Sequence, residues 1–208
     1  MTLKKKIEKL KEIIEKDGAK LVLYPSKEYI IANGGSCSGY YDEDTLSLHV
    51  ACKKPIKEWL GILVHEYAHF LQHKNNSKAW KAWKQNENLD FYIDDWLQDK
   101  KFNPSPKQLD RIYKMTILLE HEAEQTALSL IERLQLPLDR EKYTKSANCY
   151  LMFYYWSRAH RLWYKTAPYR IPELLKKMPS KLLSPKQLEK EFHRFDFSKC
   201  FTRKEKRR

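Results

Sequence analysis

The chain has 208 residues, of which 42% are hydrophobic and 32% charged, with only 5 glycines; this is enough apolar material for one folded domain and excludes a disordered or collagen-like polymer. A formal net charge of +13 favours polyanions and leaves nucleic acid open as a partner, but the basic residues are spread along the chain and concentrate only in Arg203–Arg208 (RKEKRR), read as a flexible tail from about residue 202. Four cysteines without a CxxC pair exclude a zinc ribbon and a thioredoxin-like centre, and point to reduced thiols.

Residues 2 to 16 place Leu3, Ile7, Leu10, Ile13 and Ile14 at three- and four-residue steps, the apolar stripe of an amphipathic helix that Asp17-Gly18 ends. This start is charged throughout and lacks the apolar core of a signal peptide. No run is long enough to span a bilayer, so a soluble intracellular protein, monomeric and without a membrane partner, is expected. Short β-prone runs follow at Leu21–Tyr24, Tyr29–Ala32 and Leu46–Ala51, separated by Pro25 and by Asn33-Gly34-Gly35; they predict a small antiparallel or mixed sheet.

After Pro55 the period becomes helical, from about Ile56 to His73. Residues 75 to 101 are polar but interleaved with Trp80, Trp83 and Trp96, which suits short helices or a lid-like insertion. Pro106 opens a helix to about Leu134, and another is expected from about Asp139 to Tyr164, carrying Tyr150, Phe153, Tyr154, Tyr155 and Trp156. Four prolines in the last 41 residues suggest an irregular C-terminal wrap. There are no internal repeats, and the whole reads as a single α+β domain with a mostly helical C-terminal half.

The chemistry lies in His65-Glu66-Tyr67-Ala68-His69. Two imidazoles four residues apart project from one face of a helix and can hold one ion, with Glu66 beside them to hold a water. Zn2+ is the cofactor this set suits. Bound by three protein ligands it keeps a position for water and lowers that water's pKa to about 7, and Glu66 would take the proton and pass it to the leaving amine.

The helix at 117–134 offers the third ligand. At about 100° per residue, Ile117, Ala123, Ala127, Leu128, Leu130 and Ile131 lie within roughly 80° of Glu120, which places Glu120 in the middle of the apolar face. Glu124 is only about 40° away, whereas His121, Glu122, Gln125, Ser129, Glu132 and Arg133 take the opposite side, with Glu122 in solvent. Buried carboxylates call for a partner. Glu120 is therefore assigned as metal ligand and Glu124 as the group that accepts a proton from a ligand imidazole; the reverse assignment stays open. Tyr150, Tyr154, Tyr155 and His160 are candidate donors to the oxyanion, while His49 and His73 read as structural.

This constellation resembles the gluzincin branch of the zincin metallopeptidases, in which a His-Glu-x-x-His helix is followed by a ligand glutamate and, four residues later, an acidic residue that supports a histidine. Glu120-His-Glu-Ala-Glu124 is similar to that pattern, with Glu where Asp is usual. The soluble ImmA/IrrE-type peptidases are similar in scale, and small viral or phage-borne HExxH proteins share a segment like Ala147-Asn148-Cys149-Tyr150. The resemblance implies a zincin-like fold, zinc-dependent peptide hydrolysis, a peptide or protein substrate, and a sheet-edge strand that pairs with it, a place occupied by Thr45–Val50. The other reading is a non-proteolytic zincin-fold binding or regulatory module, nucleic-acid-associated through its charge.

Overall fold

The computed structural model describes residues 2–30, 36–85, 89–99 and 101–201. The predicted strand end at Ala32, the break at Asn33-Gly34-Gly35 and the basic tail lie outside them. The fold is α+β. Two compact units divide the chain, the first made of Met1–Ser77 with Ala123–Arg140 and the second of Lys78–Glu122 with Glu141–Arg208.

In the first unit, α1 (Leu3–Lys16) starts at Thr2, whose hydroxyl accepts from the Lys5 amide, and buries Ile7, Leu10 and Ile14. These three belong to the predicted stripe, whereas Leu3 is exposed and Ile13 half-buried. The strands are β1 (Lys20–Tyr24), β2 (Tyr29–Ile30), β3 (Ser36–Cys37), β4 (Gly39–Asp42) and β5 (Ser47–Ala51). β2 and β3 form an antiparallel pair, and the other three form a mixed sheet in the order β1-β5-β4, with β5 parallel to β1 and antiparallel to β4.

The central position of β5 corrects one expectation. The strand just before the HExxH helix is flanked on both sides by other strands, so it offers no free backbone to a substrate. The edge beside it is β4. The reason is non-local: hydrophobic alternation identifies a strand but not its neighbours, and Leu48 and Val50, both fully buried, suit a central strand.

The opposite face of the sheet carries a chain of polar contacts. Thr45 donates to Asp42 Oδ2 at 2.7 Å, Ser47 lies 2.6 Å from Thr45, His49 Nε2 lies 2.7 Å from Ser47, and Tyr24 lies 2.9 Å from His49 Nδ1. Since Thr45 donates its only proton to the carboxylate, Ser47 must donate to Thr45, His49 through Nε2–H to Ser47, and Tyr24 to His49 Nδ1. That direction of donation selects the neutral Nε2–H tautomer. The His49 ring also stacks on Tyr40 at 4.4 Å, and burial holds its pKa below the usual histidine value. The residue is structural, as expected.

The helix α2 (Ile56–Lys74) is buried at Glu66, Tyr67, Ala68, His69 and Phe70 in succession, so its middle turn is covered on every side. Tyr67, between the two histidines, points to the far side. Its hydroxyl donates to the Asp17 carboxylate just past α1, and Lys74 reaches the same carboxylate at 2.8 Å. The lysine, then the tyrosine, hold Asp17 below the usual carboxylate range. Two charge-assisted contacts thus tie the HExxH helix to the end of α1.

In the second unit, α3 (Lys78–Lys84) and α4 (Leu89–Gln98) fill the stretch that suited short helices or a lid, and bury Trp80 and Trp96. The long helix α5 (Pro106–Arg133) gives its first part to this unit and its last turns to the first. Helix α6 (Arg140–His160) ends four residues before the expected Tyr164. The last segment is more ordered than an irregular wrap: α7 (Pro172–Lys177), α8 (Pro185–Glu191) and short 3-10 turns bury Leu174, Leu188, Phe197 and Cys200 in one cluster with Leu151, Met152 and Phe153 of α6. Pro172 and Pro185, read from the sequence as breaks, stand in the first turns of α7 and α8, where a missing N–H is harmless. The same five residues, Ser-Pro-Lys-Gln-Leu, open α5 and α8, and in both the serine and glutamine cap each other reciprocally.

Candidate metal centre

Helical spacing of four brings the rings of His65 and His69 together on α2, with Nε2 3.1 Å from Nε2. What each ring does with its other nitrogen decides the chemistry. His69 Nδ1 lies 2.8 Å from the Gln72 side-chain oxygen, one turn further along α2, and both residues are buried. An amide oxygen only accepts, so Nδ1 of His69 carries the proton and Nε2 a lone pair. His65 Nδ1 lies 3.2 Å from Glu124 Oε1, within ion-pair distance although off the line of a well-aimed hydrogen bond. A carboxylate beside Nδ1 draws the proton there too. In that tautomer both Nε2 lone pairs face each other at a spacing one cation could share, whereas a proton on either Nε2 makes an N–H···N hydrogen bond between the rings.

Glu120 is the third member of a group that could hold a metal ion. Ligand atoms of His65, His69 and Glu120 all lie within 4.8 Å of one another, and among the described residues this is the group of such side chains that can hold a metal ion. Two ligands about 2.05 Å from a tetrahedral zinc sit about 3.3 Å apart, close to the 3.1 Å between the imidazoles. Glu124 follows Glu120 by one turn of α5 and is 6% exposed. Its Oε1 faces His65, while its Oε2 is buried without a hydrogen-bond partner. A donor set of two imidazoles and one carboxylate with such supports fits zinc.

Glu66 is 7% exposed, on the same helix as the two histidines. Its carboxylate lies against β4: a Cβ built on Gly39 would stand 2.9 Å from Glu66 Oε1 and 2.3 Å from Ile62 Cγ2.

The other sequence candidates separate cleanly. Tyr150 feels the Glu120 carboxylate. Burial pushes its phenol well above the usual tyrosine value, with Tyr154 and Glu120 adding to the shift, so it stays a protonated donor; its hydroxyl lies 2.9 Å from that of Tyr154. Tyr154 packs with Ile93, Trp96 and Tyr113, Tyr155 donates to the Pro185 carbonyl, and His160 stacks on Trp156 and turns Nδ1 to its carbonyl. Those three groups are engaged structurally. His73 Nδ1 lies 2.6 Å from the Tyr41 hydroxyl. Asn148, inside the Ala-Asn-x-Tyr segment, donates to the carbonyls of Pro179 and Lys181 and accepts from the Leu183 amide.

Two expectations on α5 are corrected. Glu122 is half-buried rather than in solvent, and accepts from the Ala79 amide at 3.2 Å. His121 is buried and lies 2.9 Å from the Leu183 carbonyl. A helical wheel assumes one covered face, whereas this part of α5 meets partners on the other face as well.

Two residues escaped the reading of the sequence. Gln72 had a usable signal, its i+3 spacing from His69. Gly39 had none, because the side chains that require it are remote in sequence. Among the described residues no helix is long and apolar enough to cross a membrane. Protein-family models, curated proteins and solved structures yield no match to this chain.

Proposed function

We propose that the chain is a zinc-dependent peptidase of gluzincin type with a zincin-like fold, in which His65, His69 and Glu120 hold the ion. The observation that carries this reading is the pair of facing imidazole Nε2 atoms, each with an acceptor beside its Nδ1, together with a carboxylate from a second helix. Bound there, zinc supplies a Lewis acid that polarises water and a substrate carbonyl.

The rest of the work belongs to protein side chains. Glu66 accepts the proton of the attacking water and delivers it to the departing amine nitrogen. Glu124 and Gln72 keep the two rings in the tautomer that binds metal. Tyr150, whose phenol burial keeps protonated and which senses the Glu120 charge, is the candidate donor to the oxyanion. An extended peptide is the substrate class this site favours, because among the described residues β4 has one neighbour in its sheet, β5, and such an edge can accept an added strand.

The test is direct. Gently purified protein should carry about one zinc per chain, and Glu66→Gln should abolish cleavage of a diverse peptide library at unchanged zinc content. Bound zinc without cleavage by the wild type would favour the regulatory-module reading, and absence of stoichiometric zinc would remove both.

A further inference from the structure

Gly39 is the first residue of the edge strand β4, paired with Val50 of β5. Its backbone does not explain the glycine, since among the glycines whose surroundings are described only Gly18 has a left-handed φ. Its surroundings do. A methyl group at this position would stand 2.3 Å from Ile62 Cγ2, 2.9 Å from Glu66 Oε1 and 3.2 Å from Glu66 Cγ. All three distances are shorter than ordinary van der Waals contact, and the first is far inside it. The Cα of Gly39 is thus the wall against which the Glu66 carboxylate lies.

We infer that Gly39 is a positioning residue for Glu66: by lacking a side chain it sets the place of the carboxylate and lets the substrate-accepting strand approach the base directly. This rests on the peptidase reading. Gly39 stands beside Glu66, so in this reading the peptide bond to be cleaved comes alongside Gly39, with the substrate chain running on past Tyr40–Asp42. Any larger residue at 39 would displace the carboxylate from its place relative to the attacking water. The required displacement is a few tenths of an ångström to about half an ångström, and errors of that order in the position of a catalytic group reduce turnover by about 10-fold or more.

Packing alone offers a rival account, because the nearest atom to the added methyl belongs to Ile62 and not to Glu66. Comparison of Gly39→Ala, Ile62→Ala and the double variant separates the two. Ile62→Ala makes room for the first clash and leaves the second. If Gly39 positions Glu66, the double variant regains much of the thermal stability that Gly39→Ala loses, keeps wild-type zinc content and KM, and still turns over at least 10-fold slower. If Gly39 serves only helix-to-strand packing, the double variant recovers full turnover, and the inference is overturned.

A second readout needs no substrate. In protein labelled with 13C at glutamate carboxyls, the Glu66 resonance, assigned from its loss in Glu66→Gln, should be displaced in the double variant at one fixed pH. An unmoved resonance overturns the inference. A wild-type protein that cleaves no peptide would sink the proposed function, and the resonance would still decide the role of Gly39.

Discussion

Replacing Gln72 with leucine isolates what the support of one ligand contributes. The two side chains are close in volume, so the change removes the acceptor for His69 Nδ1–H, 2.8 Å away in the wild type, and keeps the bulk at that position. Without metal the ring has an escape. The proton can move to Nε2, where the lone pair of His65 lies 3.1 Å away, so the fold loses little stability. Metal binding closes that escape, because Nε2 must present its lone pair and Nδ1 must carry a proton against a leucine methyl. An unpaired buried N–H costs about 1–3 kcal/mol, which weakens zinc affinity by roughly 5- to 150-fold at about 1.4 kcal/mol per decade. Competition with a chromophoric chelator measures the affinity, and thermal unfolding of the metal-free protein measures the fold. Zinc affinity within twofold of wild type, or a loss confined to stability of the metal-free protein, would refute the tautomer argument.

Three further outcomes are expected. Tyr67→Phe removes the hydroxyl donated to Asp17 and should lower stability by about 1.5–3 kcal/mol, the range for a hydrogen bond to a charged group, read by urea unfolding, with zinc affinity unaltered; a fall in zinc affinity would show that Tyr67 also serves the centre. Asn148→Leu leaves the carbonyls of Pro179 and Lys181 and the amide of Leu183 without this partner and should destabilise by about 3 kcal/mol or more, with early proteolysis in the segment from 179 to 183. For His49, burial lowers the pKa from its ordinary 6.5. The unfolded chain therefore binds the proton first as pH falls, so this contribution is whole above about 6.5 and is lost as pH drops from there through the lower folded value. Stability of His49→Gln should show a shallower decline over that window, and an identical decline would count against the buried, neutral ring.

Much of the centre was legible in the residues themselves. A spacing of four on a helix is a local property, and it brought His65 and His69 together as the period of α2 requires. The wheel on α5 likewise selected Glu120 and Glu124 from four polar neighbours, because a carboxylate in the middle of an apolar stripe needs a cation or a donor. The same wheel failed for His121 and Glu122. Periodicity reports how side chains are distributed around one helix, and it is silent on what other segments bring to the polar side.

The α+β class, the positions of the main helices and the pair of facing imidazoles thus follow from the sequence alone, through periods set by backbone geometry. Tertiary structure decided what periods cannot carry: that among the described residues β4 and not β5 is the edge beside the HExxH helix, and that Gly39 stands against Glu66. Each of these depends on which distant segments meet, and adjacency in space between residues 39 and 66 leaves no trace in either local pattern.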